Sequence, residues 1–438
     1  MAHTYHTTFT VEYQRYYCEN SEKFENEKRI LEFHSRQTSA EASCPLCGGK
    51  VVGHGIRKSR LTDIPYVPGC PTLYEVHQHR YICKDCGNTF CEGNPFRAPG
   101  MNLTKRCVTW ILELMKYKMP TASIAAFFGI SWNTVRKLEQ KRMEYILKEH
   151  DKERLNSMYR PYYLAVDEFA IRKGHRYATV VMDLVKGDIL WVGKGRTIKD
   201  FSKFFEEYNG SEYLSEVKAV AMDMNASYNT LVREHLPQAE IVYDRYHVQA
   251  QYGRDVLGQV RLEAAKSHKT KAKDLAKDGA ASAADAKSEK HLYSRIKKAR
   301  WVLLQNHDKL SQEKAQNLNE ILETHSDLAL CYAMKEEMIH LFQITDTQEA
   351  RDGWTKWFDG AIHSGVPALM KFARQKVKRL DGLVAHAKFH INTGKLEGFN
   401  NKIKVAKRNA YGFRNLNFFF TYIRFLSIPH RLDAHQKL

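Results

Sequence analysis

The hydrophobic period changes several times along this 438-residue chain, and the order of those changes restricts the available folds more than any other feature. From about residue 162, three β-rich runs, "YYLAVDEFA", "HRYATVVMDL" and "GDILWVGKG", follow one another across Lys/Gly turns and lead into the amphipathic "KDFSKFFEEY". The apolar strand "VKAVAMDM", a helix from Asn225 to about His235, the strand "AEIVYD" and a helix starting at Arg245 come next. Three meandering strands followed by alternating helix and strand predict an α/β core. Between about 250 and 390 almost no β signal remains, and long helical patterns surround a Lys/Ala-rich hinge at "KTKAKDLAKDGAASAADAKSEK".

Upstream of that core the chain reads differently. Residues 1 to about 40 are polar and Tyr/Glu-rich, with a candidate strand at "ILEFHSRQ". A Gly/Pro-punctuated, β-like stretch runs to about residue 100. The period then becomes 3.6 from "NLTKRCVTWILELMKYKMP" to "SWNTVRKLEQKRMEYILKEH", which predicts a helical segment of roughly 45 residues. A chain of this length is expected to divide into two or three domains.

The β-like stretch carries Cys44-x-x-Cys47 and Cys83-x-x-Cys86 in the settings "CPLCGG" and "CKDCGN". In each, glycine lets the backbone turn so that amide groups face the sulfurs, and two such knuckles supply four thiolates to one tetrahedral, structural Zn²⁺. The 35 residues between the pairs exceed the usual spacing, so an extended hairpin is expected between them. Cys70, His77, His79 and Cys91 are substitute ligands or bystanders. Nine cysteines, four of them in these pairs, fit a reducing compartment.

Charge points to the partner. The 68 Lys+Arg against 50 Asp+Glu leave +18, the balance of a protein that binds a polyanion. No stretch of about 18 apolar residues predicts a membrane span, and the opening lacks the pattern of a secretion signal, so a cytoplasmic protein is expected. Arg57, Lys58 and Arg60 on the hairpin suit phosphate contacts or a solvated face. In "ASIAAFFGISWNTVRKL", Ala125, Gly129 and Val135 occupy the close contact, turn and packing positions of a helix-turn-helix. Ser131, Asn133, Arg136 and Lys137 would then face a major groove. A plain helical packing unit is the alternative.

Three carboxylates stand out. Asp167 ends "YYLAVD" and Asp223 ends "VKAVAMD", both at carboxyl ends of apolar strands, where α/β sheets place ligand sites. Glu397 lies in "GKLEGFNNKIKVAKRNAYGF", the one acid among seven basic side chains from 395 to 424. In a helix, Leu396, Phe399, Ile403, Ala406 and Ala410 form a buried stripe, and Glu397 lies on its flank in line with Asn401, Lys404 and Arg408. Lys402, Lys404, Lys407 and Arg408 would hold a phosphate backbone. Three convergent carboxylates require hard divalent cations to neutralise them; the plain alternative for Glu397 is a solvated residue favoured by the helix dipole. Glu168 should face the opposite side of its strand, and Asp183 and Asp188 flank a hairpin turn, so all three stay outside the site. Tyr411, Phe413 and Phe418 to Phe420 are stacking candidates or core.

Jointly, "CPLCGG…CKDCGNTF", "YLAVDEFAIRKGHRYATVVMDL", "AVAMDMNASY", "IVYDRYHV" and "KLEGFNNKIKVAKRNAYGFRN" resemble the bacterial insertion-sequence transposases of the Asp-Asp-Glu class, in particular the ISL-three family. The resemblance implies a ribonuclease H-like α/β core interrupted by an all-α insertion and preceded by a zinc ribbon and a helix-turn-helix. Its expected boundaries are an N-terminal extension (1–40), zinc ribbon (41–100), helix-turn-helix (101–155), first part of the core (156–255), insertion (256–388) and second part of the core (389–438). It further implies that Asp167, Asp223 and Glu397 are catalytic and bind two Mg²⁺ or Mn²⁺ ions, Asp167 bridging them. Asp244 and His247 match an accessory Asp-x-x-His motif. The expected activity is DNA cleavage and strand transfer at terminal inverted repeats, by a homodimer or larger assembly acting on nucleoid DNA in a bacterial cytoplasm. The competing expectations are a DNA-binding regulator without catalysis and a nuclease without end specificity.

Overall fold

A computed structural model describes residues 15–19, 23–117, 119–172, 176–209, 211–277, 283–391, 393–410 and 412–428. The chain forms two compact units, one running to Asp151 and the other spanning Lys152–Pro429.

In the first unit, β1 (Tyr16–Cys18), β3 (Lys28–Ser35), β5 (Cys70–Cys83) and β4 (Val51–Val67) lie side by side in that order. β2 (Lys23–Glu25) is added on β3, and β6 (Thr89–Cys91) on β5. β4 and β5 are the extended hairpin expected between the cysteine pairs; they pair from Val51↔Cys83 to Val67↔Cys70 with two register shifts. β3 runs parallel to β5. Three helices follow: α1 (Lys105–Lys116), α2 (Thr121–Phe128) and α3 (Trp132–Asn156). Ile111, Ile124, Ala125, Phe128 and Val135 close their common core. Gly129 ends α2 in the left-handed conformation, the tight turn expected there.

The second unit is built on one sheet. Its strands are β7 (Tyr163–Arg172), β8 (Arg176–Asp183), β9 (Ile189–Lys194), β10 (Ala219–Met222) and β11 (Glu240–Tyr243), in the order β11-β10-β7-β8-β9. The meander β7-β8-β9 is antiparallel, whereas β10 and β11 run parallel to β7. Side chains alternate along β7, so Leu164 and Val166 join a core with α4 (Ile198–Glu207) and α5 (Ala226–His235). Ala165, Phe169 and Ile171 pack on the other face, against α15 (Gly394–Asn409) and α16 (Leu416–Ser427). Helices therefore cover both faces of a largely apolar sheet.

Between β11 and α15 the described chain is helical: α6 (Arg245–Tyr252), α7 (Gly258–Leu275), α8 (Ala283–Lys298), α9 (Arg300–Leu304), α10 (Gln312–Glu323), α11 (Ser326–Leu341), α12 (Thr347–Ile362), α13 (Pro367–Lys376) and α14 (Leu380–Phe389). A π-helical turn, Gly253–Leu257, joins α6 to α7. The flanks of the Lys/Ala-rich stretch are helical where a hinge was expected: they are the facing ends of α7 and α8, tied by a His268–Glu289 contact, while 278–282 at its centre lie outside the described residues. Alanine and lysine are strong helix formers, and their low hydrophobicity only mimics a linker. No helix among the described residues is long and apolar enough to cross a membrane.

Candidate active site and metal centre

Strand register assembles the acidic residues. β7 and β10 pair Val166 with Met222, and β10 and β11 pair Met222 with Tyr243. One step further along these parallel strands, Asp167, Asp223 and Asp244 form a row; Asp223 and Asp244 follow the carboxyl ends of β10 and β11, whereas Asp167 lies midway along β7, which continues to Arg172 instead of ending there as expected. Neighbouring strands are about 4.8 Å apart, which sets the spacing of the row.

Each member is held differently. Asp167 Oδ1 accepts the Glu168 amide at 2.7 Å, and Oδ2 accepts Asn400 Nδ2–H at 2.6 Å. Burial pushes its carboxyl up to about 6, opposed by His247 and the Glu168 amide. Asp223 is exposed and accepts the Met224 amide at 2.6 Å. Asp244 caps α6 by accepting the Tyr246 amide at 2.7 Å. Burial opposes its ionisation, but hydrogen bonds involving His247 and Thr393 keep its carboxyl below the usual range. His247 stands between two of the acids, with Nδ1 3.5 Å from Asp244 Oδ2 and Nε2 4.0 Å from Asp167 Oδ1. Asp244 is the main cause that lifts His247 to about 9, against burial and with help from Asp167.

Glu397 is in the first turn of α15, where the helix N-terminus favours an acid. Leu396, Phe399 and Ile403 are buried as expected; Ala406 is half-buried and Ala410 exposed, so the stripe fades toward the helix end. Glu397 is exposed and lines a pocket of about 110 Å³ with Asp244, Arg245, His386 and Thr393. Its oxygens do not join those of Asp167 and Asp223 in a group within 4.8 Å of one another. Asn400, one turn along and on the same side, links the helix to Asp167. Sequence reading missed Asn400, although an amide beside the apolar stripe of α15 is a usable signal: it is 8% exposed, and its Oδ1 has no hydrogen-bond partner.

Glu168 faces away as expected, accepting Asn225 Nδ2–H at 2.9 Å and pairing with Arg196. Asp183 is fully buried, accepting Tyr159 Oη–H and the amides of its turn. Phe418 and Phe419 are core, Phe413 and Phe420 pack against that core, and Tyr411 lies outside the described residues.

Cys44, Cys47, Cys83 and Cys86 converge with all four sulfurs within 4.8 Å of one another; three of the separations are 3.4, 3.5 and 3.6 Å. Tetrahedral ligation at 2.3 Å per sulfur sets edges of about 3.8 Å, so the cluster fits a zinc ribbon. Gly48 and Gly87 occupy the same place in the two knuckles, at φ 72° and 71°. The Cys47 amide, followed by that of Leu46, holds the Cys44 thiol down to about 6, against desolvation.

The basic candidates scatter. Arg57 is exposed, whereas Lys58 and Arg60 pair with Glu75 at 3.5 and 2.8 Å. Ser131 caps α3 by accepting the Thr134 amide at 3.1 Å. Asn133 and Lys137 are exposed; Arg136 pairs with Glu139 at 3.0 Å and lies over the Trp132 ring. On α15, Lys402 and Arg408 are exposed, Lys404 donates to Asn401 at 3.3 Å, and Lys407 donates to the Ala170 carbonyl.

Residues 164–423, which contain the acidic row and α15, match the transposase family of the ISL3 type. The chain belongs to the ISL3 family of DDE transposases. It is 34% identical over 413 residues to the transposase for insertion sequence element IS1001 of Bordetella parapertussis, covering 94% of this chain and 95% of that one. It is 26% identical over 259 residues to the transposase for IS1557 of Mycobacterium tuberculosis, covering 58% and 57%. In this transposase the family match thus falls on the unit that carries the carboxylates, and the longer likeness extends over most of the chain.

Proposed function

We propose that the protein binds the terminal inverted repeats of its insertion sequence and catalyses DNA cleavage and strand transfer with Asp167, Asp223 and Glu397. The strand register that sets Asp223 beside Asp167, with α15 tied to Asp167 through Asn400, carries this reading. The strand order, antiparallel over three strands and parallel over two, supports a ribonuclease H-like core.

An all-oxygen donor set suits Mg²⁺ or Mn²⁺. When bound, two such ions lower the pKa of the attacking water or 3′-hydroxyl and stabilise the leaving oxygen. Asp167, Asp223 and Glu397 would hold them. The chain's own part is to hold these carboxylates in place. Asn400 orients Asp167, and His247 supplies positive charge against Asp167 and Asp244. Cys44, Cys47, Cys83 and Cys86 would hold one structural Zn²⁺. Both hairpin and helical modules would engage the repeats, and two ends require at least a dimer.

The test is incubation with labelled end DNA and Mg²⁺. Asp223→Ala should reduce cleavage on the order of a hundredfold or more while end binding persists. Cleavage that survives the substitution removes Asp223 from the site. Wild-type cleavage indifferent to the end sequence favours a general nuclease.

A further inference from the structure

A second cluster in the first unit is unused by this chemistry. Parallel pairing of β3 with β5 sets Glu32 opposite Glu75 and His34 opposite His77. Strand residues two apart share a face, so all four side chains occupy one patch. On the far side of β5, Arg60 and Lys58 stand opposite Glu75 and His77.

Ion pairs account for part of this patch. Glu75 receives Arg60 at 2.8 Å, Lys58 at 3.5 Å and His77 Nε2 at 3.2 Å, while Glu32 Oε1 receives Lys23 at 2.7 Å. They leave His34 unexplained. Its Nε2 is shielded from solvent and has no hydrogen-bond partner, yet it lies 3.9 Å from Glu32 Oε2 and 3.5 Å from Glu19 Oε2. The His34 and His77 rings are 4.2 Å apart, and one ligand atom each from Glu32, His34 and His77 lies within 4.8 Å of the others.

We propose that Glu32, His34 and His77 form a second divalent metal site, of zinc-type preference, that staples β3 to β5. Two imidazoles and a carboxylate suit Zn²⁺ and its first-row neighbours, whereas Mg²⁺ and Ca²⁺ prefer oxygen alone. Ligands at 2.0–2.1 Å around a tetrahedral ion are about 3.3 Å apart, so modest side-chain rotation closes the present spacings. Glu75 contacts the His77 ring at Nε2, as carboxylates do when they orient a ligating imidazole through its other nitrogen. Glu19 Oε2 lies 3.5 Å from His34 Nε2 but outside the group of three, so water would complete the coordination. The cation would tie the strand preceding the first knuckle to the hairpin that ends at the second.

The proposal is tested by counting metal in the full-length protein after loading with Zn²⁺ and removal of excess, by plasma mass spectrometry. The wild type should hold one equivalent more than the His34→Gln/His77→Gln double variant. A thiol reagent run in parallel should find the four knuckle cysteines protected in both proteins, showing that the ribbon stayed folded. If protection is lost in the double variant, the isosteric Glu32→Gln decides by the same two readings. A wild type that saturates at one equivalent, or a thiol-protected variant that holds as much as the wild type, overturns the proposal.

Discussion

Asn400 shows how one side chain can join two distant parts of a chain. Its amide donates to Asp167, 233 residues earlier, and the 2.6 Å bond fixes a carboxylate that burial pushes toward protonation. A hydrogen bond to a charged group contributes about 1.5–3 kcal/mol. If Asn400 orients Asp167 for cation binding, Asn400→Ala should lower cleavage by roughly tenfold to a hundredfold and raise the Mn²⁺ concentration needed for half-maximal rate. A purely structural role predicts a lower melting temperature with the metal requirement unchanged. Measuring both separates the two cases. Asp167 and Asp223 were legible in the sequence because each interrupts an apolar run, a local signal. Asn400 was not singled out, since its partner is remote and amides are common on exposed helix edges.

At the scale of elements, His386 of α14 is 8% exposed, lies against the Phe342 ring and lines the same pocket as Glu397 of α15. Burial, then the positive charge of Arg245 and the neighbouring His390, depresses its ring to about 4, against the pull of Asp244. A histidine held below its unfolded value of about 6.5 stabilises the fold above pH 6.5, and that contribution disappears as pH falls through 4. The swing is of the order of 3 kcal/mol. His386→Gln should therefore flatten the acid limb of melting temperature against pH between 6.5 and 4, relative to wild type; parallel curves would place the acid sensitivity elsewhere. Element order was readable here because period 2 gives way to period 3.6 at clear turns. The flanks of the Lys/Ala-rich stretch read as a hinge because their helices pack as a hairpin with few large apolar residues. Whether Glu397 groups with the aspartates is not legible at all, since helix periodicity gives a face but not a position over the sheet.

Across the whole molecule, +18 net charge would favour any duplex without regard to sequence, so the end recognition proposed above requires a defined surface. The long hairpin is the best candidate scaffold, because β4 and β5 are clamped at one end where Val51 pairs with Cys83, inside the four-sulfur cluster. Removing two thiolates deletes the clamp without touching the acidic row, which belongs to the other unit. Cys83→Ser/Cys86→Ser should then abolish the preference for end over random DNA, a ratio typically of about 10³ or more, and leave steeply salt-dependent binding. Mn²⁺-dependent nicking of random duplex should survive in the same protein. Filter binding across a salt series, beside a nicking assay, reads both quantities. End preference that persists after the thiolates are lost would move recognition to α2 and α3, where Asn133 and Lys137 face solvent. Loss of nicking together with preference would instead mean that the ribbon supports the catalytic unit itself.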